Sequence, residues 1–267
     1  MATLRHEGAT RPRARHVALL AALALLCLPC TAAQAGDTAK LRVTFSPNRL
    51  GAHVTVGMYL EIAGSDGGVP SPVTGFAMRL PAELELIGST LGLAICKPSA
   101  LEESGLSGCS PNALLGSGNA TVAVPFGPEI VRESAHIEAV MGPPEQEQVG
   151  VLLYAESQIP VFAQLVFPGL LLIGAGPETL ETNIPPTPTL PGAADAAMIR
   201  MHLEVGPEHL TYYKRVHGRQ VGYRPTGIAL PPKCPRGGFL FVTDIHFQDG
   251  TALSVPYAVP CPAARHH

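Results

Sequence analysis

Apolar and polar residues alternate with a period of two along most of the chain. Leu41, Val43 and Phe45 are separated by single polar residues, and the segment Val54–Glu61 continues the same pattern. Side chains of an extended strand point alternately to its two faces, so this pattern predicts strands with one buried face. Ten further segments are bounded by Gly, Pro, Asn or Asp and predict strands in the same way: Thr74–Leu80, Asn119–Pro125, Ile130–Val140, Val149–Glu156, Val161–Phe167, Met198–Val205, Thr211–Val216, Gln220–Tyr223, Phe239–Phe247 and Thr251–Val259.

Two turns predict hairpins. His217-Gly218 separates two predicted strands, and Asp249-Gly250 separates the last two. Asp-Gly supplies the positive φ angles that a tight hairpin turn needs. We therefore expect antiparallel neighbours at the C-terminal end of the chain.

These strands predict an all-β fold, an antiparallel β-sandwich with jelly-roll-like connections as one variant. The mature chain shows no long amphipathic helix, which argues against a βαβ architecture. One short helix is expected near Ser99, which has capping-box spacing to Glu102 and is followed by Gly105. Residues 36–267 then form one large sandwich domain. The proline-rich segment Ile184–Gly192 is expected to cross between sheets, and the alternative is two β-domains split near 184–192.

The first 35 residues predict a signal peptide. Four Arg precede the apolar run Val17–Leu28, and the small residues Ala33 and Ala35 precede Gly36. This order is typical of a cleaved export signal, and the apolar run is shorter than the roughly 20 residues of a spanning helix. The sequence therefore predicts a secreted or cell-envelope protein with no transmembrane segment after cleavage.

Composition limits the classes of partner. Hydrophobic residues make up 46% of the chain and charged residues 15%, which excludes a solvated disordered chain. Loss of residues 1–35 removes four Arg and one Glu, and leaves 14 basic and 20 acidic residues, a net charge of −6. Phosphate backbones repel such a surface, so nucleic acid is not an expected partner.

Four cysteines remain in the mature chain: Cys96, Cys109, Cys234 and Cys261. An even count in an exported chain indicates disulfides, and four cysteines allow three pairings. We favour the sequential pairing of Cys96 with Cys109 and of Cys234 with Cys261. The alternative is a metal site or a reactive thiol, although the mature chain lacks the short Cys-x-x-Cys pair of many zinc sites.

Three segments resemble a type of uncharacterised secreted bacterial β-protein that is punctuated by Cys, Pro and Gly. They run from Cys96 to Ala120, from Ile184 to Gly192 and from Cys234 to Cys261, and include Cys109-Ser110-Pro111 and Phe247-Gln248-Asp249-Gly250-Thr251. The resemblance implies export and a β fold. It implies no activity, since that group has none assigned.

The sharpest chemical hypothesis concerns a divalent metal. His202 and Glu204 are two apart on one predicted strand, and Asp244 and His246 are two apart on another. Residues two apart share a strand face, so neighbouring strands could combine two imidazoles and two carboxylates, a ligand set that suits zinc. The simpler interpretation is two solvated polar faces.

Other candidates are weaker. Tyr212, Tyr213 and Tyr223 surround the His217-Gly218 turn and suggest a binding surface, although Tyr212 and Tyr213 should point to opposite faces. The carboxylate pairs that a glycosidase could use are Glu83 with Glu85, Glu102 with Glu103 and Glu145 with Glu147. Ser117 lies between two glycines but lacks the Gly-x-Ser-x-Gly frame of a serine hydrolase.

The expected function is therefore a non-catalytic secreted or cell-envelope protein that binds or structures an unknown surface or extracellular ligand without a cofactor. The alternative is a secreted hydrolase, metal-assisted or carboxylate-based. A cleft lined by His202, Glu204, Asp244 and His246 would favour the enzyme. A filled interior with a flat exposed patch would favour the binding protein.

Export can be tested directly at the predicted cleavage site. Mass spectrometry of the protein recovered from the medium or envelope of its natural host should give Gly36 as the N-terminal residue. Recovery of the chain with residues 1–35 still attached would contradict the signal peptide.

Overall fold

The strands follow the alternation of the sequence closely. In a computed structural model, residues 36–86, 91–126, 128–158, 162–174, 176–188 and 194–262 are described. The first strand shows the physical cause: Leu41, Val43 and Phe45 are buried, whereas Arg42 is exposed. The predicted signal peptide at 1–35 lies outside the described residues.

Among the described residues there are fourteen strands and one α-helix. They are β1 Thr38–Ser46, β2 His53–Ala63, β3 Val73–Arg79, α1 Pro98–Ser104, β4 Leu114–Phe126, β5 Glu129–Met141, β6 Val149–Ser157, β7 Ala163–Leu172, β8 Thr179–Asn183, β9 Ala197–Val205, β10 Tyr212–Val216, β11 Arg219–Tyr223, β12 Ile228–Ala229, β13 Phe239–Phe247 and β14 Ala252–Val259.

Twelve of these strands form one sheet. Its order is β1-β2-β9-β4-β5-β6-β7-β8-β3-β13-β14, with β12 paired to β2. Its pairings are antiparallel. The first and last strands of this order, β1 and β14, approach each other, so the sheet is nearly closed. The prediction of an antiparallel all-β fold is confirmed, and opposite walls of a single curled sheet pack around the core.

The prediction missed two strands and cut two short, since β4 begins at Leu114 rather than at Asn119 and β7 ends at Leu172 rather than at Phe167. β8 and β12 are only five and two residues long. Strand β7 continues beyond the predicted end at Phe167, through Pro168 and Gly169. Those two residues resemble a turn in sequence, but Pro168 lies opposite Leu152 in the pairing with β6.

Both predicted disulfides are confirmed. Cys96 bonds to Cys109 with a Cα–Cα distance of 5.3 Å, and Cys234 bonds to Cys261 with a Cα–Cα distance of 5.9 Å. The second bridge ties residues on either side of the β13–β14 hairpin. The first closes the loop that contains α1.

The short helix is also confirmed, but the predicted capping box is wrong. The N-cap residue is Lys97, Pro98 occupies the first turn, and Ser99 lies inside the helix. Proline is favoured at this position because its missing N–H has no partner in the first turn. Gly105 ends the helix at φ 59°, as expected.

The helix loop covers one outer wall of the sheet. Leu101 and Cys96 are buried against Val140, Leu152 and Tyr154, in a small second core outside β5 and β6. The side chain of Gln164 donates a hydrogen bond of 2.8 Å to the carbonyl oxygen of Leu101. Strands β5 and β6 are therefore covered on both faces in this region.

The proline-rich segment 184–192 connects β8 to β9, and strands β4 to β7 lie between these two in the sheet. The backbone N–H of Ile184 donates to the carbonyl oxygen of Thr74 at 2.8 Å, which extends the pairing with β3. Residues 189–192 lie outside the described residues. Because β8 and β9 belong to one sheet, the expected crossing between two sheets is wrong, and the segment connects two strands of the same sheet.

Gly118 is required by the close approach of β4 and β9. A Cβ at this position would lie 1.9 Å from the carbonyl oxygen of His202, a backbone atom. The change Gly118→Ala should lower the free energy of unfolding by about 1–3 kcal/mol, the usual cost of overpacking. Urea denaturation followed by circular dichroism measures this loss.

The matched control is Gly174→Ala, because a Cβ built there has no atom of the described residues within 4 Å, apart from its chain neighbours. Equal denaturation midpoints for the two variants would contradict the close approach.

Candidate functional site

The structure does not bring the four predicted metal ligands together. His202 and Glu204 lie on β9, which is paired to β2 and β4, whereas Asp244 and His246 lie on β13, which is paired to β3 and β14. Each pair shares an outer face, as predicted, but the strands are not neighbours. The hypothesis of one four-ligand site is wrong, because it depended on a strand order that alternation does not encode.

Each pair has local partners instead. The ring of His202 stacks on Tyr59 with centroids 4.1 Å apart, and its Nε2 lies 3.5 Å from a carboxylate oxygen of Glu204. Asp244 forms an ion pair of 2.9 Å with Arg79. Within the described ranges, no group of three or more His, Cys, Asp or Glu residues has an arrangement that could hold a metal ion.

The tyrosine cluster is mainly structural. Tyr212 is fully buried, and its hydroxyl donates to the carbonyl oxygen of Leu114 and accepts from the N–H of Gly92. Its ring meets Tyr223 edge to face at 6.1 Å. Tyr213 points to the other face and is exposed. The three residues therefore do not form one exposed binding surface, because Tyr212 belongs to the core.

The carboxylate pairs considered for a glycosidase are exposed side chains on loops and on α1: Glu83, Glu85, Glu102, Glu103, Glu145 and Glu147. None of them lines either of the two interior cavities described below.

Large side chains fill one half of the interior. Phe45 packs edge to face on Phe239, with ring centroids 5.2 Å apart, and lies 6.1 Å from the ring of Phe241. These aromatic residues project from β1 and β13, and Phe239 and Phe241 are fully buried. This half of the molecule resembles an ordinary close-packed core.

Small side chains face inward on the other half. Ala120 of β4 lies opposite Ala135 of β5, Ala139 of β5 lies opposite Leu153 of β6, and Ala155 of β6 lies opposite Ile137. Alanine side chains are too short to fill the space between opposite walls of the sheet, so part of the interior stays open. Two cavities occupy it.

Cavity 1 has a volume of about 200 Å³ and lies near the β4–β5 turn. Its walls are almost entirely apolar and include the inner faces of β4 to β7 and β9. Thr187 and Pro188 of the proline-rich segment line its side. Its lining includes Phe126, Glu133, Ala135, Ala155, Ser157 and Ala163.

Cavity 2 has a volume of about 340 Å³ and lies toward the other end of the same strands. Leu84, Leu86 and Leu91, from the segment between β3 and α1, line part of it. Every residue in its lining is apolar, and none of them carries a polar side-chain group other than the thioether of methionine.

The two cavities lie end to end along the strands. On β5, Glu133, Ala135 and Ile137 line cavity 1, whereas Ala139 and Met141 line cavity 2. Leu153 of β6 lines both, so the cavities meet at this side chain. The eight residue steps from Glu133 to Met141 correspond to a distance of about 26 Å at the rise of a β-strand. The interior space is thus long and narrow.

A polar row crosses the outer face of the same sheet. The register places His136 on β5 opposite Asn119 on β4 and opposite Glu156 on β6. His136 Nδ1 and Asn119 Oδ1 are 3.4 Å apart, and His136 Nε2 lies 2.7 Å from Glu138 Oε1. These groups contact one another on the wall of the sheet.

Burial and hydrogen bonding shift the pKa values in this row in opposite directions. Burial raises the pKa of Glu138, against the opposing effect of His136, and its Oε2 has no hydrogen-bond partner among the described residues. The hydrogen bond from the Tyr154 hydroxyl, 2.6 Å long, lowers the pKa of Glu156. Burial and the neighbouring Glu156 raise the pKa of Tyr154 to about 12.

Sequence reasoning missed the cavities and the inward-facing Glu133. The signal was present, since Glu133 alternates in phase with Val131, Ala135 and Ile137 on one face of β5. A run of alanines on the buried phase of three consecutive strands is the second signal. The phase of Glu133 and the inward alanines indicate a cavity only when β4, β5 and β6 are known to be neighbours.

No protein-family model matches the chain, and no curated protein and no solved structure shows significant similarity to it. No helix in the described parts of the chain is both long and apolar enough to span a membrane. The function must therefore be inferred from the geometry of the interior and its walls.

The outer row predicts opposite effects of pH for two neighbouring carboxylates. The pKa of Glu138 is higher in the folded chain than its ordinary value, so above that ordinary value the folded chain holds more protons than the unfolded chain, and the free energy of unfolding falls as pH rises. Glu156 has the reverse sign, because its lowered pKa contributes stability that is lost as pH falls. Between pH 4 and pH 7, E138Q should therefore gain stability relative to the wild type and E156Q should lose it.

Urea denaturation at several pH values measures the free energy of unfolding of each variant relative to the wild type. Each variant controls for the other, because each removes one carboxylate from neighbouring strands of the same wall. Differences that change with pH in the same direction for both variants would contradict the assignment.

Proposed function

We propose that this protein is a non-catalytic secreted or cell-envelope binding protein that holds an elongated apolar molecule inside its sheet. The observation that carries the proposal is the pair of apolar cavities, about 200 and 340 Å³ in volume, lying end to end between the walls. Small-molecule sites are concave, mostly apolar and typically about 300–1,000 Å³ in volume.

Energetics support an occupant. Protein interiors contain few voids larger than a water molecule, and a residual cavity destabilises a fold by about 24 cal/mol per Å³. Cavity 2 is partly open to solvent, so the cost of leaving it unoccupied is the exposure of its apolar lining to water. An apolar cavity of smaller size stays dry and binds benzene. An apolar ligand removes this cost more effectively than water does.

The end of cavity 1 offers a route of access. Phe126 lines the cavity and is 51% exposed, and Phe162, which is 64% exposed, directly precedes the lining residue Ala163. Exposed aromatic side chains beside an apolar opening suit the first contact with an apolar molecule. Aromatic residues bury large areas on binding.

Export is the second part of the proposal. The signal sequence at 1–35 remains a prediction, and the two disulfides are compatible with an oxidising compartment. The resemblance to uncharacterised secreted bacterial β-proteins points the same way.

The alternative of a metal-assisted or carboxylate-based hydrolase needs reacting groups around one cleft. The residues that suggested it, His202 and Glu204 on β9 and Asp244 and His246 on β13, lie on separate outer strands. No described observation favours that alternative over the apolar binding protein.

Cavity-filling variants test the proposal. N-phenyl-1-naphthylamine, an apolar dye whose fluorescence rises in apolar surroundings, should bind the disulfide-bonded mature chain saturably. Ala155→Phe adds a ring to the wall of cavity 1 and Ala139→Phe adds one to cavity 2, so each should weaken dye binding by about tenfold or more, the effect of 1.4 kcal/mol.

The matched control is Ala258→Phe, which adds the same ring to an exposed position of β14. It should leave the affinity for the dye unchanged, and thermal denaturation verifies that all three variants fold. Absence of saturable binding by the wild type, or equal affinity in folded cavity and control variants, would refute the interior site.

A further inference from the structure

One carboxylate faces the apolar interior. Glu133 of β5 is only 4% exposed and lines cavity 1, whereas its neighbours Arg132 and Ser134 are exposed on the outer face. Across the strand pair it lies opposite Val122, an apolar residue of the same lining. Its inward direction follows from the register of the sheet.

The carboxylate lacks a complete set of partners. Glu133 Oε1 is buried and has no hydrogen-bond partner among the described residues. No described residue in the lining of cavity 1 carries a positive charge, and Glu133 is the only ionisable residue there. A buried carboxylate without compensation is costly, and an ionised carboxylate is purely an acceptor of hydrogen bonds. What is missing at this position is a donor.

We propose that Glu133 anchors the head group of the bound molecule, which is an aliphatic compound ending in a hydrogen-bond donor, with a protonated primary amine as the preferred class. This inference rests on the proposed function and adds the chemistry of the ligand. An ammonium group would satisfy Oε1 and neutralise the buried charge through a charge-assisted hydrogen bond, the stronger kind. A carboxylate head group would be repelled.

The geometry also sets the orientation of the ligand. Glu133 lies near the end of cavity 1 that contains Phe126, while Ala135 and Ile137 follow it toward cavity 2. The head group therefore stays at the Phe126 end, and the aliphatic tail runs past Leu153 into the wholly apolar cavity 2. Ser157 and Thr187 place further hydroxyl groups in the lining of cavity 1, near the head-group end.

Competition binding tests this anchor. Decylamine, decanol and decanoate share one chain length and differ in the head group. Each is added as a competitor to the mature protein with bound N-phenyl-1-naphthylamine at pH 7, at concentrations below those at which the competitor aggregates. We expect decylamine to bind about tenfold or more tightly than decanoate. In E133Q and E133L this preference should fall by about tenfold or more, with each competitor measured against that variant's own affinity for the dye.

The control variant is E102Q, which neutralises an exposed carboxylate on α1, away from both cavities, and should retain the wild-type order. Dye binding with an unchanged order of competitors in E133Q and E133L would refute the anchor but leave the apolar site intact. Equal affinities of the wild type for decylamine and decanoate would by themselves refute the proposed anchor. A wild type that binds no dye would refute both the site and the anchor.

Discussion

Closure of a single antiparallel sheet is the constraint on which the rest of this structure depends. Once β1 and β14 approach each other, every strand of this twelve-stranded sheet has one face directed into a shared interior whose width is set by the backbone. Side-chain size then decides whether that interior is filled. Phenylalanines of β1 and β13 fill one half, and alanines of β4, β5 and β6 leave the other half partly open. The cavities are thus a consequence of composition at inward positions.

Much of the fold was predictable from local pattern. Alternation located most strands, the turn at His217-Gly218 was read correctly, and both residues there have positive φ. The cysteine pairing also followed from the sequence. Local errors have local causes: Pro168 hid the continuation of β7, and Pro98 moved the start of the helix away from the predicted capping box.

The candidate site was much less predictable, because it depends on which strands are neighbours. His202 and Asp244 were each placed correctly on an outer face, yet the strand order separates them. Tyr212 looked like a surface aromatic residue beside a turn, and the fold around Leu114 and Gly92 buries it. Glu133 could have been noticed from its phase on β5, but its significance needs the alanines of the adjacent strands.

The disulfide loop has a mechanical consequence for the cavity walls. Leu101 and Cys96 press on the outside of Val140 and Leu152, so this part of β5 and β6 is buried on both faces. Segments with many buried contacts open least readily. The part of β5 and β6 under the loop closed by Cys96 and Cys109 should therefore open less readily than parts of the sheet whose outer faces are exposed to solvent.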